Sequence, residues 1–163
     1  MNWLDIYHST GGSLQQFTID EVLKSNEESQ KYGLVLTPAQ AHELVKTRNL
    51  AIQNHGRIEL SIEVVNKIVY AFCSSSYINS EEYAWTLNQL VELFYYMKNE
   101  TEDRIGDDEL ISVMKDFFEG ASHGSLSLLK NRDLTLFAQH FRQANQSEDY
   151  ALERSQYNET NKY

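Results

Sequence analysis

"INSEEYAWTLNQLVELFYYMK", residues 78–98, decides the fold. Asn79 is an N-cap residue, Glu82 stands three positions on as its capping-box partner, and Ile78 is placed to staple onto Tyr83. Beyond that start, Tyr83, Leu87, Leu90, Val91, Phe94 and Met97 recur at helical spacing. Trp85, Tyr95 and Tyr96 widen the stripe beyond what one core face needs. A helix apolar on so much of its circumference is either the centre of a bundle or partly an interface. The central position is the simpler reading, and Trp85, Tyr95 and Tyr96 are the interface candidates.

Working outward, two more helix starts are legible. Thr18 with Glu21 and the Phe17/Val22 pair predict one, and Thr37 with Pro38 and Gln40 predict another. Apolar periodicity follows Thr37 and Ser61, and returns in "DDELISVMKDFFEG" (107–120) and "DLTLFAQHFRQ" (133–143). Gly120 is placed to end the first of these two. "YGLVL" (32–36) and "GRIEL" (56–60) do not read as helix; each follows or includes a glycine and carries alternating or β-branched apolar residues. The expected architecture is mainly α: a single-domain bundle of five or six helices over residues 1–145, with "GLVL" and "RIEL" free to pair as one short two-stranded ribbon. The polar, weakly periodic tail, 146–163, is expected to be frayed or partly helical.

Composition agrees and narrows function. The 163-residue chain has one proline and seven glycines, too few breakers for many short strands, and its 41% hydrophobic content can fill a core. A net charge of −10 repels phosphate backbones and anionic membranes, so neither nucleic acid nor membrane is an expected partner. The start, "MNWLDIYHSTGG", has no basic or apolar region of a secretory signal. One cysteine, Cys73, excludes an internal disulfide. These features point to the cytoplasm.

The acidity is local. Residues 77–120 carry eleven acids against three bases, crowded after the central helix in "NETEDRIGDDEL" (99–110). A calcium loop centred on Gly106 would place Ile105 and Ser112 at two ligand positions, which neither can serve. The run reads better as a solvated joint, with Asp107 and Asp108 at the positive end of the next helix. His8, His42, His55, His123 and His140 lack metal-ligand spacing, and Gly11-Gly12-Ser13 matches no nucleotide-binding loop. No cofactor or catalytic residue is therefore assigned.

Arg48 is the most pointed single residue. It interrupts an apolar stripe, four after Leu44 and three before Ala51, with His55 seven further on. A buried arginine keeps its charge and must be paired. The structural expectation is an ion pair with a carboxylate elsewhere in the chain. The functional one is an anion or partner-carboxylate site built from Arg48, His55 and Arg57.

Five segments, "SQKYGLVLTPAQAHELVKTRN", "GRIEL", "IVYAFCSSSYINSEEYAWTLNQLVELFYYMKNET", "DDELISVMKDFF" and "HGSLSLL", resemble a functionally uncharacterised family of small, mainly helical proteins from spore-forming Firmicutes, over residues 23–129. The resemblance implies a bacterial origin and a compact domain, and brings no activity or site residue. The leading expectation is a non-catalytic, cytoplasmic adaptor or regulatory protein whose acidic region, with Asp107 and Asp108 as further interface candidates, meets an unidentified basic protein partner. The alternative is an enzyme or a small-ligand or anion-binding protein with a pocket near Arg48 and His55.

Overall fold

The computed structural model describes residues 14–160; His8 and the 11–13 glycine-serine stretch lie outside them. Helix α1 covers 14–23, followed by the short α2 (Asn26–Ser29) and a tight turn of helix, Gln30–Tyr32. The main elements are α3 (Pro38–Asn54), α4 (Glu63–Phe72), α5 (Tyr83–Glu100) and α6 (Asp107–Glu119). A brief α7 (Leu126–Leu128) runs through a π-helical turn, Leu129–Asp133, into α8 (Leu134–Thr160). The chain is mainly α, and the described residues contain no strand.

The element at 78–98 is central, as its pattern predicts. Along α5, Tyr83, Leu87, Leu90, Val91, Phe94 and Met97 are all 2% exposed or less. α3 and α4 pack on it, α8 touches it, and α6 packs against α4. Each large apolar side chain buried this way contributes roughly 1.5–3 kcal/mol relative to exposure. Tyr95 is also fully buried, so α5 is enclosed on more than its main stripe. Edge-to-face pairs, Phe94 on Tyr95 and Phe72 on Phe118, fill the centre.

The predicted helix starts meet different fates. The Thr37 capping box forms in full: the Thr37 hydroxyl accepts from Gln40 N–H at 3.1 Å, and the Gln40 amide accepts from Thr37 N–H at 2.9 Å. Asn79 accepts from Glu82 N–H at 2.9 Å, but residues 80–82 form a turn, and the regular helix starts only at Tyr83. The Thr18 expectation fails. The backbone is already helical at residue 14, and the Thr18 hydroxyl donates to the Leu14 carbonyl one turn back. Gly120 follows α6 at φ −94, and the left-handed residues come later, at His123 and Gly124.

The ribbon expected from "GLVL" and "RIEL" is absent, because side chains take the backbone groups a ladder would use. The Asn26 amide accepts from Leu36 N–H at 2.8 Å and donates to the Leu36 carbonyl at 2.9 Å. The carbonyls of Glu59 and Ser61 go to Arg48. α8 continues as helix to Thr160, through the region read as a frayed or partly helical tail.

The ends of α3 and α5 aim the segments that matter below. After α3, Arg57 N–H donates to the Ile52 carbonyl at 2.9 Å and Gly56 N–H to that of Gln53 at 3.1 Å. This Schellman closure needs a left-handed residue, and Gly56 supplies it at φ 63. α5 ends the same way: Asp103 N–H donates to the Lys98 carbonyl and Glu102 N–H to that of Asn99, with Glu102 and Asp103 left-handed at φ 54 and 59.

Thr37→Ala removes the complete capping box and is expected to lower unfolding stability by about 1 kcal/mol. Urea denaturation of the two proteins measures it.

Candidate functional site

The C-terminal turn of α3 and the segment after it carry an unusual pattern. From Arg57 to Ile62 the chain makes no turn, bend or helix. Side chains alternate from Arg57 to Leu60, and the charged ones face inward; the exposed Ser61 ends the alternation. The Arg57 and Glu59 side chains are only 18% and 19% exposed, while Ile58 and Leu60 are 90% and 98% exposed. An ordinary half-buried extended segment has the opposite arrangement.

Arg48 creates this inversion. It is buried in α3, and one guanidinium nitrogen, Nη2, donates to the Glu59 carbonyl at 2.6 Å and the Ser61 carbonyl at 2.8 Å. Nη1 donates to the Asn49 side chain at 2.9 Å. The expected carboxylate partner is therefore replaced by backbone carbonyls and a side-chain amide, and among the described residues Arg48 forms no salt bridge. One nitrogen with two N–H donors draws two carbonyls of the same segment together, which an ion pair with a carboxylate could not do.

The inward charges then form a chain of contacts. The Tyr95 hydroxyl donates to Glu59 Oε2 at 2.6 Å, and burial, reinforced by this bond, pushes the phenol well above its ordinary range. Arg57 bonds Glu59 Oε1 at 3.1 Å and both Asp103 oxygens at 2.6 Å, with its guanidinium 5.9 Å from the Tyr95 ring centre. Its hydrogen bonds hold the Asp103 carboxyl below the usual carboxylate range.

Asp103 leads into the acidic joint, which differs from the solvated turn expected. Lys98 is buried at its centre, 5% exposed. Its ammonium donates to the Ile105 carbonyl at 2.7 Å and lies 2.8 Å from Asp107 and 3.5 Å from Asp103. Three oxygens thus surround a group with three donors. Asp107, Asp108 and Glu109 occupy the first turn of α6, as predicted, and Lys67 reaches across from α4 to Asp108 at 2.9 Å. Among the described residues, no group of three His, Cys, Asp or Glu side chains is arranged to hold a metal ion.

The remaining candidates separate. His55 caps the C-terminus of α3 and, with Tyr96, Leu50, Glu92, Leu126 and Lys130, lines a cleft of about 620 Å³. Arg48 is not part of it; it borders another hollow with Leu14, Leu60 and Ile62. Arg57 joins the Asp103 network, so Arg48, His55 and Arg57 do not form one anion site. Trp85 and Tyr96 are exposed, at 57% and 43%, whereas Tyr95 is buried and cannot anchor a partner. Glu59, Lys98, Asp103 and the outward pair Ile58 and Leu60 were not singled out by sequence. The alternation in "RIEL" was visible, but alternation does not say which face is turned inward.

The structure defines an all-α helical bundle carrying a clamped, outward-apolar segment beside an acidic joint. Among the described residues no helix is long and apolar enough to cross a membrane. The chain belongs to a family of unknown function, DUF6323, which matches residues 21–147. No curated protein and no solved structure matches it.

Two expectations follow from the clamp and the network. Arg48→Ala strands two carbonyls and should cost about 2–4 kcal/mol in urea unfolding, with Arg48→Lys recovering part of it. The second concerns pH. Asp103 ionises below its ordinary 3.8 in the fold, so between the two values only the unfolded chain binds the proton and stability rises with pH. The stabilisation is complete above 3.8 and disappears as pH falls through the folded value. The Tm gap between wild type and Asp103→Asn should therefore close on acidification below that point; a constant gap assigns acid sensitivity to other groups.

Proposed function

We propose that this chain is a non-catalytic cytoplasmic interaction protein that docks a basic protein partner on the segment 57–62 and the adjoining acidic joint. One observation carries the reading: Ile58 and Leu60 stand 90% and 98% exposed on a backbone that buried Arg48 holds in place. Anchors on a rigid support bind at a smaller entropic cost than anchors on a mobile loop. The charge surroundings support a cationic partner. The Asp103, Glu63 and Asp108 side chains keep 56%, 68% and 81% of their surface exposed near the segment, despite their ion pairs. The lone cysteine is buried, in keeping with a reducing compartment.

A second reading, a small-ligand binder, is favoured by the cleft beside His55. Its volume suits a small molecule, and Lys130 and Glu92 offer opposite charges. Without Arg48 this cleft loses the group that made an anion its natural ligand.

Affinity capture from the native host, with wild-type and Leu60→Asp proteins compared by quantitative mass spectrometry, tests the first reading. Leu60 is almost fully exposed, so the variant should keep wild-type stability within about 0.5 kcal/mol. Proteins retained by the wild type should fall about tenfold with the variant. An unchanged captured set rejects the docking surface. A metabolite that raises the Tm, and no longer does so in His55→Ala, moves the function to the cleft.

A further inference from the structure

We infer that the cleft between α3 and α5 binds a small zwitterion of dipeptide size, its ammonium at Glu92 and its carboxylate at Lys130. This deepens the small-ligand reading above and rests on it; the docking surface is independent of it. The cleft has three walls. Asn54 lines it from the last turn of α3, and Gln89, Glu92 and Leu93 line it from α5. These three α5 residues are spaced three and four apart, so they share one helix face. Leu126 and Lys130 close the third side, from α7 and the π-helical turn. A π turn holds one residue more than an α turn, and such turns recur at functional sites. Here the turn buries Leu129 and Asp133 and leaves Lys130 exposed on the cleft. The Thr135 hydroxyl donates to the Lys130 carbonyl five residues back, at 2.8 Å, and holds that turn in place.

The two charges carry the argument. Glu92 and Lys130 line one cleft with opposite sign, yet they do not pair with each other. Among the described residues neither side chain forms a salt bridge or a hydrogen bond, whereas Arg57 and Asp103, Lys98 and Asp107, and Arg142 and Glu100 all close into ion pairs. The space between Glu92 and Lys130 is thus left to a third group. A purely anionic ligand meets repulsion from Glu92, and a purely cationic one meets it from Lys130. A molecule with both charges is favoured by each.

The rest of the lining sets the body of the ligand. Leu93 and Leu126 offer apolar surface between the charges. Asn54 and Gln89 make no side-chain hydrogen bond among the described residues, and each carboxamide offers both a donor and an acceptor. A peptide group needs one of each. The cleft volume, about 620 Å³, lies within the roughly 300–1,000 Å³ of small-molecule sites. A single amino acid would leave much of it to water. A dipeptide with apolar side chains supplies the two charged ends, the amide and the apolar body together.

Isothermal titration calorimetry of the full chain tests this with leucyl-leucine, valyl-leucine and phenylalanyl-leucine, each also as its N-acetyl and its C-terminal amide form. Saturable binding of a free dipeptide is expected, weakened about tenfold by either block, because each removes one charge-assisted contact. Glu92→Gln should weaken the free dipeptide about tenfold and leave the acetylated form unchanged. Lys130→Gln should do the same for the free dipeptide and leave the amide form unchanged. Both side chains are exposed, and circular dichroism melting verifies that the variants are folded. No saturable binding by any free dipeptide, equal binding by the blocked forms, or undiminished binding in both variants overturns the proposal. If the dipeptides fail while a host metabolite still raises the Tm through His55, only the zwitterion falls. If neither acts, the small-ligand reading of the cleft falls with it.

Discussion

Arg48 reaching the carbonyls of Glu59 and Ser61 is the interaction on which the segment between α3 and α4 depends. A buried guanidinium is costly to dehydrate, and it is tolerated only where its donors are met. Here Nη1 and Nη2 are met, mainly by the backbone of a segment that belongs to neither α3 nor α4, while Nε is buried without a partner among the described residues. The clamp joins helix to loop and fixes the backbone at Glu59 and Ser61. Beside it, Arg57 and Glu59 turn toward Tyr95 on α5, and Ile58 and Leu60 are left in water. Tyr95 completes the support from the core side by donating to Glu59.

The acidic joint is a continuation of the same chemistry. Lys98 is carried inward by the last turns of α5, and Asp103, Ile105 and Asp107 surround it. Arg57 shares Asp103 with it, so the loop after α3 and the loop after α5 are tied through one carboxylate. The left-handed backbone at Glu102 and Asp103 is held by this arrangement, at positions where glycine would be the easier residue. The acids are therefore partly structural, and what remains exposed on Asp103 and Asp108 supplies the local negative field.

Position relative to the central helix separates core aromatics from surface ones. Tyr95 and Tyr96 are adjacent in sequence, yet one is wholly buried beneath the Arg57 guanidinium and the other opens onto the His55 cleft. Neighbouring helical residues point about 100° apart, which is enough to send one into the core and the next to solvent. The excess of aromatics over the main stripe of α5 thus has two origins, enclosure on a second face at Tyr95 and exposure at Trp85 and Tyr96.

Much was legible from sequence because it depends on local chemistry. The Thr37 box, the helical period of 83–98 and the acidic first turn at Asp107–Glu109 involve residues within a turn of one another, and each formed where the pattern placed it, although the helix expected from Asn79 begins only at Tyr83. Thr18 misled because a hydroxyl that can cap a helix can equally bond back to a carbonyl inside one. That Arg48 must find partners was also readable, since its charge cannot be given up. Which partners it found was not: a carbonyl carries no mark in the sequence, because every residue has one. The same holds for "RIEL", whose alternation is visible in the letters while its orientation is set by a side chain eleven positions earlier. Sequence determined the helices and the need to satisfy one buried cation. Tertiary structure alone decided that the cation is met by the backbone of the segment after α3, and which residues of that segment face solvent.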